Sequence, residues 1–140
     1  MRIHWIEGEA PARAAPDVSR QMRASSHPTV TVRGADGSVV CARCTDARTP
    51  LARMRGLLGR RELPVGEGIW LRPAASIHTL FMRFAIDAVF LDREGRVVRV
   101  VPELRPWRAA AARGARSVLE LPSGECARRG VVEGERLEVG

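Results

Sequence analysis

The sequence predicts a β-rich α+β domain, a small barrel-like or sandwich-like sheet with one main α-helix packed on it. Two observations carry this. Short β-branched runs recur along the chain, separated by turn chemistry rich in Gly, Asp and Pro. Only one segment sustains a helical period. A chain of 140 residues, 45% of them hydrophobic, has enough material for one core.

Taken in order, residues 1–28 read as a loosely attached tail, because Pro11, Pro16 and Pro28 and the absence of any period argue against packing. Met22 would serve as an alternative start just before the domain, which is placed at residues 29–140. Thr29 to Val32 and Ser38 to Ala42 flank a Gly-Ala-Asp-Gly loop and predict a β-hairpin. Thr49 is an N-cap candidate with Pro50 at the first helical position. Leu51, Met54, Leu57 and Leu58 then fall on one stripe, and Gly59 ends it. Ile69 to Leu71 is a short strand. Ile86 to Leu91 and Arg96 to Val101 form a second hairpin around Asp92 to Gly95. Residues 102–114 read as irregular, with Pro106 and Trp107 folding over a sheet edge or barrel end. Arg116 to Leu121 is another strand. Residues 123–130 could hold one helical turn, and a turn at Gly134 precedes a last strand.

The basic balance, +7 at neutral pH, comes entirely from 23 arginines, since the chain has no lysine. Nucleic-acid binding through the Arg-rich helix is nevertheless a weak reading. Aromatics are 4% of the chain and tyrosine is absent, so a base-stacking platform would be thin. No apolar run approaches the roughly 20 residues of a membrane helix, and the N-terminus lacks the apolar core of a secretory signal. A cytoplasmic, reduced setting is the expectation. Cys41 and Cys44 form a lone C-x-x-C and Cys126 stands alone. Residues three apart on a strand face opposite ways, so the two thiols are not expected to converge, and neither a metal nor another cofactor is expected.

The stretch Ser76 to Asp92 places His78, Thr79, Arg83 and Asp87 among apolar residues. An ionised Asp87 there needs a partner, and Arg55 or Arg83 is the natural one. Glu120, inside Val-Leu-Glu-Leu, poses the same problem. These five residues, with Arg55 from the helix, are candidates for lining a polar pocket that binds a small ligand or a protein. As an alternative, His78 with Asp87 or Glu120 could serve a small enzyme of unknown class.

The strings R-G-L-L-G-R-x-E-L, G-E-G-I-W-L, S-I-H-T-x-F-M-R-F-x-I-D-x-V-F-L-D and V-L-E-L-P-S-G, in that order, resemble a family called domain of unknown function 192. The resemblance covers residues 30–139. It implies a compact β-barrel-like fold with one main helix and brings no established activity, cofactor or substrate. Some members are exported, a setting that does not carry over to a chain without a signal. Leu58 stands where Met is common in the family, and the C-x-x-C is not one of its features. A non-catalytic binding or accessory domain is therefore the leading functional expectation.

Deleting residues 1–21 should leave the melting temperature nearly unchanged. A fall of more than a few degrees would show that Trp5 or Ile6 packs on the core.

Overall fold

A computed structural model describes residues 28–49 and 57–140. The expected N-terminal tail and most of the expected helix, Arg55 included, lie outside the described residues.

The first hairpin forms as expected from β1 (Thr29–Arg33) and β2 (Val39–Ala47), which pair antiparallel. Asp36 closes its turn by accepting the Ser38 amide at 2.9 Å. β2 then pairs in parallel with β3 (Glu67–Leu71). A parallel pair needs a long crossover connection, and residues 48–66 provide one. β3 is antiparallel to β8 (Ser117–Pro122), β8 to β5 (Ile86–Leu91), and β5 to β6 (Val97–Leu104). β9 (Glu138–Val139) adds to β1, giving the order β6-β5-β8-β3-β2-β1-β9. A separate ribbon pairs β4 (Ser76–His78) with β7 (Ala109–Ala111). Residues 102–114, expected to be irregular, thus contribute the end of β6 and all of β7. Among the described residues the helix is α1 (Glu125–Arg129), a single short turn.

The seven-stranded sheet curls into a half-barrel. Its two edges meet where Arg96 bridges Arg136, Val97 N–H donates to Glu135 at 2.7 Å and Leu137 N–H donates to Gly95 at 2.9 Å. Gly95 has φ +81°, and a Cβ there would lie 2.8 Å from the Leu137 carbonyl oxygen, so this seam requires glycine. Side-chain alternation splits the core in two. Val89 and Leu91 face inward with Val32, Val40, Leu119 and Leu137. Ile86, Ala88 and Phe90 face outward with Ile69, Val118 and Leu104, and Ile77 of the ribbon packs on them.

The cysteines depart from the sequence expectation. Cys41 and Cys44 are both buried on the inward side, together with Cys126. Register shifts between β1 and β2 break the strict alternation. The Cys44 thiol donates a hydrogen bond to Cys41, which lowers the Cys41 pKa and raises that of Cys44. Gly68 makes this packing possible, because a Cβ there would come within 2.9 Å of Cys41 Sγ and 2.8 Å of the Glu120 carbonyl oxygen.

Asp87 is buried, yet its partners are not those expected. Its carboxylate accepts the backbone N–H of Glu103 at 2.9 Å, Gly124 at 3.1 Å and Cys126 at 2.9 Å. Among the described residues no arginine bonds to it, and Arg83 is exposed. Backbone amides do the work because β6 and α1 present orphan N–H groups at the point where Asp87 enters the core.

Asp87→Ala removes the shared acceptor of three backbone donors, the buried Cys126 amide among them, and should destabilise the protein by about 3 kcal/mol. Asp36→Ala, in an exposed turn, should leave the midpoint of urea unfolding nearly unchanged. Equal midpoints for the two variants would refute this role for Asp87.

Candidate binding surface

The sequence-predicted site residues separate into three environments. His78, at the end of β4, and Arg83 are exposed. Thr79 is fully buried and ties two loops together. Its amide donates to the Arg108 carbonyl at 2.8 Å and its hydroxyl to the Arg105 carbonyl at 2.6 Å. In return it accepts the Arg108 amide on its hydroxyl oxygen at 2.9 Å and the Trp107 amide on its carbonyl at 3.0 Å. Asp87 and Glu120 point to opposite faces of the sheet, since Asp87 pairs with Leu121 and its neighbour Ala88 with Glu120. Among the described residues His78 has no carboxylate partner.

What the Thr79 tie positions was not read from the sequence. It brings Phe81 and Trp107 into edge-to-face contact, ring centroids 4.7 Å apart and planes at 62°. Both are exposed, Phe81 at 69% and Trp107 at 56%, and Leu80 beside them is partly so. Both also have φ +64°, a conformation costing a bulky L-residue roughly 1–3 kcal/mol. Arg83, Arg105 and Arg108 lie on the same two loops and are exposed, and residues 76–85 and 105–108 contain no carboxylate. The sequence signal available was an apolar L-F-M run, which reads equally well as core, and a distant Pro-Trp pair, read as folding over a sheet edge or barrel end.

Other buried acids are satisfied differently. Asp46, on the inward side of β2, accepts Arg72 Nε at 2.9 Å and Nη2 at 2.6 Å, and Arg48 Nε at 2.8 Å. Arg72 in turn lies 3.9 Å above the Trp70 ring. Glu125 holds Arg128 at 2.9 Å and Arg129 at 3.3 Å along α1. Arg43 and Arg60, both exposed, share the partly buried Glu67, so part of the arginine concentration noted in the sequence is a paired, solvated face. Glu120 is the exception. It is only 4% exposed, one carboxyl oxygen has no hydrogen-bond partner, and burial pushes its pKa up to about 7.

The Glu120 shift sets a pH dependence. An unfolded carboxyl titrates near 4.5. Below that pH both states are protonated and burial costs nothing in charge. Between 4.5 and 7 the unfolded chain ionises first, so stability falls as pH rises, and above 7 the loss is complete at roughly 3 kcal/mol. The stability difference between wild type and Glu120→Gln should therefore move in favour of the variant by about that amount from pH 4 to pH 8. A difference independent of pH would show that the carboxyl is not desolvated.

Comparison with known proteins agrees with this architecture. A curated UPF0127 protein of Pyrococcus furiosus is 43% identical over 67 residues, which is 47% of this chain and 52% of that protein, so the match spans about half of its length. A crystallised protein of unknown function from Novosphingobium aromaticivorans superposes with a TM-score of 0.69 at 29% identity, covering 80% of this chain and 84% of the other. A proposed transcription regulator of Sinorhizobium meliloti gives a TM-score of 0.74 at 24% identity, covering 82% and 96%, and this likeness speaks to fold alone. The family model DUF192, described as an uncharacterized ACR, matches residues 30–139, and the chain belongs to that family.

Proposed function

We propose that this is a small non-catalytic binding domain whose contact surface is the loop pair carrying His78, Phe81, Arg83 and Trp107, with Thr79 beneath it. The occupant is a protein segment that offers an apolar groove with acidic side chains at its rim. The observation that carries this reading is the exposed aromatic pair held at positive φ in both members. The strained backbone, tied at Thr79 through the Met82 and Trp107 amides, turns both aromatics toward solvent. It positions a rigid knob, and Trp and Arg are the residue types that anchor protein interfaces. The cations supply charge complementarity to an acidic rim.

The geometry favours a protein over single-stranded nucleic acid. A stacking platform offers successive bases parallel open ring faces. Here the rings stand at 62° and cover one another in part. Catalysis by a His78–carboxylate pair is disfavoured because Asp87 is committed to three backbone amides on the inward face.

An array of peptides that combine Glu or Asp with Leu or Phe, probed with the full chain, tests this. Binding should be lost in Phe81→Ser/Trp107→Ser, weakened in Arg83→Glu and kept in Arg116→Ala. The double variant should melt no lower than wild type, because it removes exposed rings. Tight binding of oligothymidylate in place of peptides would overturn the reading in favour of nucleic acid.

A further inference from the structure

The half-barrel has two ends. α1 covers the one where β5 begins and β8 finishes, and its Arg129 reaches back to the Val39 carbonyl at 3.3 Å. At the other end, where β2 and β3 finish and β8 begins, lies a cavity of about 430 Å3. Trp70, Leu91 and Leu137 give it apolar walls, and Arg72, Arg93 and Arg116 line it as well. A shallower depression of about 320 Å3 shares Arg72 and Arg116 and adds Arg48.

We infer that this open end binds a small organic anion, a carboxylate or phosphate ester on a compact apolar body. The volume lies in the range of small-molecule sites, and barrel mouths are common places for them. Arg72 is fixed before any ligand arrives. Asp46 takes its Nε–H and an Nη2 hydrogen, and the guanidinium rests on the Trp70 ring. A guanidinium has five N–H donors, so donors remain for an incoming oxyanion. Arg93 and Arg116 have no ion pair or side-chain hydrogen bond among the described residues. The two acids on the lining, Asp92 and Glu94, offset two of its three guanidinium groups and leave it net positive. Asp46 is engaged with Arg48 and Arg72, and Asp92 accepts the amides of Glu94 and Arg96 at 2.9 Å each. Glu94 is the one remaining carboxylate on the lining. Fixed and unpaired guanidinium groups around apolar walls select a ligand with an anionic head and an apolar body, since Arg matches carboxylate and phosphate bidentately. This site is separate from the aromatic surface and does not depend on it.

Calorimetric titration of the full chain at low salt with phenyl phosphate, benzoate and inorganic phosphate tests the inference. Phenyl phosphate or benzoate should bind saturably at one site, and whichever binds tighter identifies the head group. Arg116→Ala should weaken that binding by roughly tenfold or more. Arg116 is exposed and unpaired, so this variant should melt as wild type does. Arg108→Ala, on the aromatic surface, should bind as wild type. Absence of saturable binding by both aromatic anions would overturn the inference. So would undiminished affinity in Arg116→Ala, and inorganic phosphate binding as tightly as phenyl phosphate would remove the apolar body from it.

Discussion

One carboxylate holds the closed end of this domain together. Asp87 stands in an otherwise apolar strand and accepts N–H groups from the end of β6 and from two residues at the start of α1. Each of those donors belongs to a place where the backbone cannot satisfy itself. Glu103 has φ +49°, and Gly124, the residue before α1, has φ +92° with no side-chain cap. A helix start leaves N–H groups without intrahelical acceptors, and here the acceptor comes from a different strand. Asp87 also sits beside Cys126. Burial first, and then this carboxylate, push the Cys126 thiol up to about 12, which keeps it neutral as a core side chain. The same residue therefore bends β6, seats α1 and closes the inward core.

The hairpins were legible because their determinants are local. β-branched runs around Gly-Asp turns specify β1–β2 and β5–β6 without reference to the rest of the chain. The parallel β2–β3 pair was not legible, because it depends on where residues 48–66 cross. The convergence of Cys41 and Cys44 depends on register shifts against β1, and alternation rules hold only where the register is regular. Asp87 illustrates a different limit. Burial followed from its apolar flanks, but the arginine expected beside it was the only kind of partner a sequence displays. Every residue carries a backbone amide, so amide partners leave no mark in composition. Phe81 was hidden for the opposite reason, since an aromatic in an apolar run reads as core until the backbone turns it outward, whereas Trp107 read as folding over a sheet edge or barrel end.

The buried acids show two solutions to one desolvation problem, and one acid that uses neither. Asp87 uses backbone amides, Asp46 a bidentate arginine and Glu125 two single arginine contacts, and Glu120 is left without a partner for one of its oxygens. Arginine suits the second solution in a chain without lysine. Its planar fork pairs bidentately with a carboxylate and stays charged when desolvated. Glu120 follows neither of these, and its raised pKa is the energetic record of that. A carboxyl near neutrality in an apolar layer costs stability at physiological pH, which a hydrophobic residue at that position would not.

The Asp46 arrangement separates a built site from an ordinary basic surface. A solvated arginine keeps its rotamer freedom and loses it on binding, a cost of up to about 2 kcal/mol. Arg72 has already lost that freedom to Asp46 and to the Trp70 ring. Its ordering cost belongs to folding rather than to ligand capture, which is the physical content of preorganisation. The charge of Asp46 offsets one of the two guanidinium groups it orients, so Arg48 and Arg72 together retain a net positive charge facing the open end. A structure in which one end is sealed by Asp87 and the other is lined by oriented cations has a polarity along the half-barrel. On the proposed reading, an anion arriving at that end finds the Arg72 donors already in position.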